Sequence, residues 1–384
     1  SPAGEPVRAG SPPVDNPLAS AVVALDARTG ERRWQFQVVH HDLWGYDVAA
    51  PPLLVDVPVD GAYVQALALA GETGYAYLFN RATGEPLFPI IETAVPKSEV
   101  PGEQGAPAQP VPVKPAALAR TSFGPEDLVT ARDTSEEHAQ FCRELRDRSG
   151  GLQNTGPFTP FRYRAPGTEP HSTVVFPGTS GGVGWGGPAA DPALGFVFAN
   201  VTNMGSLGWV EPNAADTTAA QTGEGPRREQ LPFRRGSVVG EPHQFAWTAA
   251  GGALWPCQRP PWGQLVAINV ASGEIAWQVP LGVTADLPED RQRTGRPNSG
   301  GPIATAAGLV FVAASDDRRL RAFDSRTGEE LWSAPLPLAA HAVPVTYLGR
   351  NGKQYVAVVA GGDTVTDSAS PAGNAALIAF SLPQ

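Results

Sequence analysis

The sequence predicts an all-β protein, a β-propeller built from four-stranded antiparallel blades. Two observations support this prediction: a hairpin motif occurs four times along the chain, and 43 glycines and 40 prolines accompany only 17% charged residues. Such a composition is typical of many short strands joined by turns, and a repeat of this period is typical of propellers. Because 42% of the residues are hydrophobic, the chain can build a core, and we do not expect disorder throughout.

The repeated motif is an apolar strand that ends in Asp or Asn, with Gly four residues later and an aromatic residue four residues after the Gly. The four copies are 24–34, 78–88, 267–277 and 322–332. The Asp or Asn side chain can cap a tight turn, and the Gly can adopt the positive φ that closes a hairpin. One ring at a fixed place in each repeat is best explained as a wedge buried between adjacent sheets. The alternative is a coincidental set of unrelated hairpins.

The spacing of the motif glycines sets the size of a blade. Gly30 and Gly84 are 54 residues apart and Gly273 and Gly328 are 55 apart, which is about one four-stranded blade plus a loop. The 189 residues between Gly84 and Gly273 should therefore hold further blades and an insertion. Strand-like runs within this interval, at 173–176 and 195–200, predict a blade that lacks the aromatic signature. The whole chain, 1–384, is thus predicted to supply about four to five blades.

Two irregular segments are expected. The Pro-rich stretch 89–168 predicts an insertion with one short helix at 134–146, because that segment starts with Thr and Ser and has acidic residues in its first turn. We interpret this helix as a surface decoration. The Pro- and Gly-rich stretch 211–242 predicts an irregular loop, and its four arginines are interpreted as solvated rather than as a binding site.

Composition also limits the partners and the compartment. A net charge of −10 without a long Lys or Arg run argues against a nucleic-acid partner. No stretch approaches the ~20 apolar residues of a membrane span, so no span is expected in this chain. The two cysteines, Cys142 and Cys257, suit a periplasmic or extracellular protein with one disulfide. Two buried free thiols are the alternative.

A fan of four to five blades would leave two long unpaired flanks with exposed apolar faces. We therefore expect another polypeptide to complete the ring. It could be a separate chain from the same precursor, a partner subunit or an identical copy.

Further motifs lie at 39–47, 185–187, 198–200, 257–263, 300–305 and 352–362. In this order, over nearly the whole chain, they resemble the C-terminal portion of glucose and quinate dehydrogenases that depend on pyrroloquinoline quinone (PQQ), the quinoproteins. The resemblance implies an eight-bladed propeller with PQQ and a Ca²⁺ or lanthanide ion near its axis. It implies a small-molecule alcohol, sugar or polyol as substrate, and a second chain carrying the N-terminal blades.

In this family, a carboxylate takes the proton of the substrate hydroxyl while a hydride passes to the quinone. The metal polarises the quinone carbonyl. The position of that carboxylate is Gly45 here, which has no side chain. Asp47 matches a second Asp near the metal in glucose-type and lanthanide-type members, so it is the candidate base and metal ligand, with a turn-capping role as the alternative. His41 is the other catalytic candidate and could form a hydrogen-bonded cluster with His40 and Asp42, although a structural histidine is the commoner case.

Glu72 stands where the family has a quinone-contacting Lys or Arg. PQQ is a tricarboxylate, so a carboxylate ~4 Å away, at an effective dielectric of ~20, changes a contribution of roughly 4 kcal/mol from favourable to unfavourable. Trp185, Asn200 and Asp363 are the remaining candidates for cofactor contact. Asp363 replaces a His of glucose-type members, while packing is the alternative role for Trp185 and strand-end capping the alternative for Asn200.

Three functions remain open at this point. The first is a quinoprotein dehydrogenase in which Asp47 replaces the missing base. The second is a redox-inactive propeller that serves as a scaffold or binding subunit. The third is a repurposed enzyme in which Asp47, Glu72, Asp363 and His41 perform acid–base chemistry without quinone, since clustered carboxylates raise one another's pKa.

Overall fold

The computed structural model describes residues 16–59, 61–213, 232–238, 243–250, 252–362 and 375–382. Eight sheets are present among these residues, and five of them are antiparallel sheets that contain or adjoin the repeated motif. The first contains β1 (Ala21–Leu25) and β2 (Arg32–Gln37), and the second contains β3 (Leu53–Val59), β4 (Ala62–Ala70) and β5 (Ala76–Asn80). The third contains β10 (Ala189–Asp191), β11 (Phe196–Thr202), β16 (Gly263–Asn269) and β17 (Glu274–Pro280). The fourth contains β18 (Ile303–Ala304), β19 (Leu309–Val312), β20 (Arg319–Asp324) and β21 (Glu330–Pro335), and the fifth contains β22 (Val345–Leu348), β23 (Gln354–Ala360) and β24 (Ala376–Ser381). These sheets confirm the predicted all-β class and the antiparallel blades.

The repeated motif forms the turn that the sequence predicts. In the first copy the Asp26 carboxylate accepts hydrogen bonds from the backbone N–H groups of Arg28 and Thr29, at 2.9 and 3.0 Å. Gly30 closes the turn at φ +74°, and its N–H donates to the Asp26 carbonyl at 2.8 Å. The other three copies have the same carboxylate or amide cap and a glycine at positive φ.

The aromatic residue of each of the first three repeats is a wedge between sheets, and its ring packs on the motif glycine of the next repeat. The Trp34 indole lies so close to Gly84 that an added Cβ would be 2.6 Å from the ring, and Trp34 Nε1–H donates to the Arg81 carbonyl at 3.0 Å. The same ring-on-glycine contact recurs at two more junctions, Phe88 on Gly273 and Trp277 on Gly328. These contacts place the first four sheets in series.

The two ends of the series differ from its interior. No atom of the described residues lies within 4 Å of a Cβ added at Gly30. At the other end, the Trp332 side chain is 39% exposed and contacts Phe380 at a centroid distance of 5.3 Å. Trp332 is therefore the one copy whose ring meets another ring instead of a motif glycine.

A four-stranded sheet without the aromatic signature does lie between Gly84 and Gly273, but only one of the two strand-like runs belongs to it. The run 173–176 overlaps β9 (Ser172–Val175). This strand forms a separate sheet with β8 (Leu152–Gln153), β12 (Ser206–Pro212) and β13 (Phe233–Gly236). The run 195–200 forms β11, which pairs with β16 over its whole length. One blade is therefore assembled from 189–202 and 263–280, and its aromatic residue is Trp277. Sequence spacing could not show this, because the two halves are separated by about 60 residues of other structure.

The stretch 89–168 contains a hairpin of β6 (Ile90–Ala94) and β7 (Ala108–Pro112), a 3₁₀ turn (Pro125–Asp127) and the helix α1 (Glu136–Arg148). The predicted helix is confirmed, with Ser135 as its N-cap. It is not a surface decoration, because it buries four side chains and the disulfide Cys142–Cys257 ties it to the chain after β15. The remaining short elements are β14 (Ala246–Thr248), β15 (Leu254–Pro256) and a 3₁₀ turn (Glu289–Arg291).

The expected loop over 211–242 requires a correction at its ends. Strand β12 extends to Pro212 and pairs with β13, with Val210 opposite Arg235 and Glu211 opposite Arg234. Arg234 and Arg235 are therefore strand residues, whereas Arg227 and Arg228 lie outside the described residues. Among the described helices, none is long and apolar enough to span a membrane.

Candidate active site

The segment between β2 and β3 begins with a tight turn that Asp42 holds. Its carboxylate accepts hydrogen bonds from the backbone N–H groups of Trp44 and Gly45, at 2.9 and 3.1 Å, and Gly45 has φ +80°. The buried Tyr46 hydroxyl donates to the Pro177 carbonyl at 2.7 Å and anchors the turn. The turn-capping carboxylate is thus Asp42, and the side chain of Asp47, just beyond the anchored turn, is exposed.

Glu72 lies in the turn between β4 and β5, directly beside Asp47. The backbone N–H of Asp47 donates to Glu72 Oε2 at 2.9 Å. The Gly182 N–H donates to the Glu72 carbonyl at 2.9 Å, and a Cβ added at Gly181 would lie 2.6 Å from Glu72 Cγ. Glu72 is therefore held between the 42–47 segment and the loop that begins at 181.

The electrostatics favour the protonated forms of Glu72 and Asp42. Burial raises the pKa of Glu72 to about 7, and the negative charges of Asp47 and Asp42 add to the shift while the hydrogen bond from the Asp47 N–H opposes it. Burial also raises the pKa of Asp42, against the hydrogen bonds from its own turn. At neutral pH, Glu72 is therefore close to half protonated and can either donate or accept a proton.

The loop 181–187 connects this carboxyl pair to the fourth sheet. Gly187 approaches Pro51, and Gly186 lies against the carbonyl of Gly300, where a Cβ would have no room. Trp185, between these contacts, is 51% exposed. Its side chain is thus not a core residue, which disfavours packing as its role.

Asn200 is 1% exposed and lies inside β11, opposite Leu265 of β16. It does not cap a turn, because its Nδ2–H donates to Asn298 Oδ1 at 2.8 Å. Its own Oδ1 is buried and has no hydrogen-bond partner among the described residues. Such an oxygen is suited to a ligand, a cation or a water molecule.

The predicted histidine cluster does not form. His40 Nδ1 lies 2.9 Å from Gln37 Oε1, and His40 Nε2 lies 3.1 Å from Glu92 Oε1. Burial raises the pKa of Glu103, and the hydrogen bond from Ser98 and the electrostatic interaction with His41 oppose that shift. No hydrogen bond joins His41 to Asp47 or Glu72 within the described residues, and Asp363 lies outside them.

Sequence reasoning missed two residues near this site. Arg235 lies with its guanidinium carbon 4.1 Å from the centroid of the Phe161 ring, and its charge acts on Tyr46 and Asp42. His243 is coupled electrostatically to Arg235. The signal for Arg235 would have been the pairing of β12 with β13. Adjacent side chains of a strand point to opposite faces of the sheet, so Arg234 and Arg235 have different surroundings.

The residues around Glu72 do not fit PQQ. In the part of the chain that the structure describes, neither Asp47 nor Glu72 has a cationic partner, so no cation is present beside them to balance the carboxylates of the quinone. Nor is a metal centre formed there: the one described group of three convergent His, Cys, Asp or Glu ligand atoms is His138, Cys142 and Cys257. Both cysteines are consumed by the disulfide.

Comparison with known proteins places these observations in a family. Residues 4–356 match the sequence profile of the PQQ glucose/ethanol/alcohol dehydrogenase β-propeller domain. The chain is 37% identical over 383 residues to a probable quinate dehydrogenase (quinone) of Xanthomonas campestris pv. juglandis, covering 96% of this chain and 46% of that protein. It is 35% identical to a quinate/shikimate dehydrogenase (quinone) of Acinetobacter baylyi, covering 91% and 42%. The chain thus spans about half the length of these relatives.

A solved structure supports the fold. A europium-containing methanol dehydrogenase superposes with a TM-score of 0.52 at 19% identity, covering 90% of this chain and 45% of that one. This likeness concerns the fold alone. The match over residues 4–356 confirms the predicted family resemblance, and the chain belongs to the family of PQQ-dependent glucose, ethanol and alcohol dehydrogenase β-propellers.

Proposed function

We propose that this chain is the C-terminal portion of a quinoprotein-type propeller that acts on a polyhydroxylated small molecule by acid–base chemistry, without retaining PQQ. The observation that carries the proposal is the contact between the Asp47 N–H and Glu72 Oε2 at 2.9 Å. This contact brings a second carboxyl group beside Asp47, and by resemblance Glu72 stands where members of the family carry a Lys or Arg that contacts the quinone.

The pair can move a proton in either direction. With a pKa of about 7, Glu72 presents a carboxylic O–H to a substrate oxygen in about half of the molecules at neutral pH. The exposed Asp47 carboxylate, adjacent in the chain to the buried Tyr46, can accept the proton of a substrate hydroxyl. One carboxyl that donates and one that accepts is the arrangement that general acid–base catalysis requires.

PQQ binding tests this proposal directly. The protein is titrated with PQQ in the presence of Ca²⁺ or La³⁺, and its thermal unfolding is followed together with dye reduction on adding alcohols and sugars. We expect neither a rise in Tm nor dye reduction. A rise without turnover would indicate a vestigial cofactor site and a redox-inactive propeller.

A quinone-dependent dehydrogenase is the second candidate. The observation that favours it is Asn200, whose buried Oδ1 lacks a partner among the described residues, as expected of a ligand atom in an incomplete site. In this case PQQ, with Ca²⁺ or a lanthanide ion, would raise Tm, and alcohols, sugars or polyols would reduce the dye with Asp47 as the base.

We also propose that a second polypeptide carries the N-terminal blades and docks at Gly30. The motif glycines Gly84, Gly273 and Gly328 are each covered by a ring from the preceding repeat, whereas no described atom covers Gly30. An aromatic residue of a preceding blade would complete the pattern. Native mass spectrometry of the protein from its source should therefore detect an associated polypeptide with blade repeats, and a lone chain would contradict this assembly.

The disulfide supports a periplasmic or extracellular location, since such bonds persist in oxidising compartments. Fractionation of the source cells tests this location, and recovery of the protein from the cytoplasm with free thiols would contradict it.

A further inference from the structure

A cavity of about 640 Å³ lies where three distant segments of the chain meet. Its walls are the first turn of α1, the hairpin of β14 and β15, and the segment 286–291. Its lining residues are separate from those of the candidate active site. Such a volume, with aromatic side chains in the lining, is typical of small-molecule sites, which range over roughly 300–1,000 Å³.

The three walls are bonded to one another. The disulfide Cys142–Cys257 joins α1 to the segment that follows β15. Nη1 of Arg291 donates to the carbonyls of Ala131 and Thr134, at 3.1 and 2.6 Å, and so attaches the third wall to the residues that lead into α1. The cavity is therefore largely formed before a ligand enters, which reduces the conformational entropy that binding costs.

Two indoles form the hairpin wall. Trp247 and Trp255 meet edge to face, with ring centroids 5.4 Å apart, and His138 stacks on Trp247 at 5.5 Å. His138 Nε2–H donates to the Trp255 carbonyl at 3.2 Å, so its Nδ1 accepts from the Thr134 hydroxyl at 2.9 Å. Burial lowers the pKa of His138 to about 4, so the imidazole is neutral at neutral pH and does not repel a cation. Trp247 is thus held in place from behind and is only half-buried.

The charged side chains of the lining are mostly acidic. Glu136 forms an ion pair with Arg143 at 2.6 Å, whereas Glu137 and Asp286 have no ion-pair partner among the described residues. The one lining cation, Arg291, directs its Nη1 to backbone carbonyls. Two unpaired carboxyl groups on separate walls, beside an indole surface, suit a ligand that has a positive charge and an apolar body.

We propose that this cavity binds a small alkylammonium cation, with its methyl groups against the Trp247 indole and its charge near Glu137 and Asp286. A fully methylated ammonium carries no N–H, so aromatic faces and negative charges recognise it rather than hydrogen-bond acceptors. An uncharged sugar would also stack on an indole, but it would gain nothing from the two negative charges. The site does not depend on the proposed function, because it shares no residue with the pair of Asp47 and Glu72.

A matched pair of probes isolates the positive charge: choline, and its neutral analogue in which a tert-butyl group replaces the trimethylammonium group. Binding of each to the full chain is measured by calorimetry and by the shift in Tm. We expect choline to bind at least about fivefold more tightly, and raising NaCl should reduce this advantage because the two carboxyl groups are exposed. Equal affinities, or no binding of choline, would overturn the proposal. Binding of glucose in place of choline would also overturn it, by assigning the cavity to sugars.

Trp247→Leu tests the aromatic wall. Leucine keeps the wall apolar but has no π face, so choline should bind about fivefold more weakly while affinity for the tert-butyl analogue changes by less than about twofold. An equal loss for both probes would show that Trp247 only shapes the cavity, and it would contradict a contact between the indole and the cation.

Charge variants decide the case if Trp247→Leu does not fold by circular dichroism. The double variant Glu137→Gln/Asp286→Asn changes exposed side chains and should weaken choline binding about fivefold. The control Glu126→Gln/Glu144→Gln also removes two negative charges from exposed positions, but outside the cavity, and should leave the affinity unchanged. An unchanged affinity in the first pair, or an equal loss in the control pair, would refute the assignment.

Discussion

The indole of Trp34 occupies the space in which Gly84 would carry a side chain, since an added Cβ would lie 2.6 Å from its ring. Gly30 has nearly the same φ, at +74° against +77°, but no described atom lies within 4 Å of a Cβ added there. Alanine substitutions at the two glycines therefore separate the free-energy cost of a positive φ from the cost of displacing the ring.

We predict that Gly84→Ala destabilises the protein by about 3 kcal/mol and Gly30→Ala by only about 1 kcal/mol. Both variants bear the cost of a positive φ, roughly 1–2 kcal/mol, but only Gly84→Ala displaces a packed ring. Urea unfolding gives both free energies. Equal losses would mean that the ring-on-glycine contact contributes nothing, unless a polypeptide carrying a preceding blade is present and covers Gly30.

The hydrogen bond of the wedge can be tested separately. Trp277 Nε1–H donates to the Ser325 carbonyl at 3.1 Å, whereas the half-exposed Trp332 forms no such bond among the described residues. We predict that Trp277→Phe lowers the free energy of unfolding by about 1–2 kcal/mol and that Trp332→Phe lowers it by less than about 0.5 kcal/mol. A loss in Trp332→Phe as large as that in Trp277→Phe would argue against a role for the indole N–H.

These contacts also show what the sequence could predict of the fold. The turn is local, because Asp26 and Gly30 determine it within five residues, so its four copies were recognisable. The ring position was recognisable for the same reason. That β11 and β16 belong to one sheet depends on pairing over more than 60 residues, for which no local signal exists.

The candidate site was predictable only where the family motif fixes a position. Asp47 and Glu72 were selected independently by resemblance, and the structure brings them together. His41 was selected by chemistry alone, and among the described residues it interacts electrostatically with Glu103 instead. Arg235 was overlooked because a charged residue in a polar segment is usually solvated, and only strand pairing reveals its burial.

We predict that loss of the disulfide Cys142–Cys257 destabilises the protein by about 4 kcal/mol. The bond joins residues 115 apart, and closing so long a loop restricts the unfolded chain strongly. It also fixes α1 to the segment that follows β15. The double variant Cys142→Ala/Cys257→Ala, compared with the oxidised and reduced wild-type protein by thermal unfolding, measures this loss. An unchanged Tm in the double variant would exclude a stabilising role.

The raised pKa of Glu72 predicts a specific pH dependence of stability. Its pKa is about 7 in the folded protein against an ordinary value of 4.5, so the folded state binds the proton more tightly than the unfolded state. The stabilising contribution is complete below pH 4.5 and is lost as the pH rises through 7. Removing the carboxyl group should therefore raise the free energy of unfolding at high pH.

We predict that Glu72→Gln becomes more stable relative to the wild-type protein between pH 4.5 and pH 8, by on the order of 1–3 kcal/mol. Urea unfolding of both proteins across this range gives the difference, in which the contributions of other titrating groups cancel. Glu126→Gln, at an exposed position, is the control for the exchange of Glu for Gln itself. A flat difference for Glu72→Gln would contradict a raised pKa.

Restoring the family's residues should restore affinity for PQQ. We predict that Glu72→Lys binds PQQ, in the presence of Ca²⁺ or La³⁺, at least tenfold more tightly than the wild-type protein, because a cation replaces a carboxylate beside three quinone carboxylates. Glu72→Gln should bind with intermediate affinity, which separates the removal of a negative charge from the addition of a positive one. Calorimetric titration on the assembled protein measures all three, and equal affinities would show that Glu72 is not what excludes the quinone.

Gly45→Asp completes the reversal, since it returns a carboxylate to the position of the family's base. No described atom lies within 4 Å of a Cβ at Gly45, so the aspartate has room, and at φ +80° it should cost about 1–2 kcal/mol of stability. We expect Gly45→Asp alone to leave PQQ-dependent dye reduction undetectable, and the pair Gly45→Asp/Glu72→Lys to show it, because a base acts only on a substrate beside a bound quinone. Dye reduction by Gly45→Asp alone would mean that the wild-type site already binds PQQ and lacks only the base.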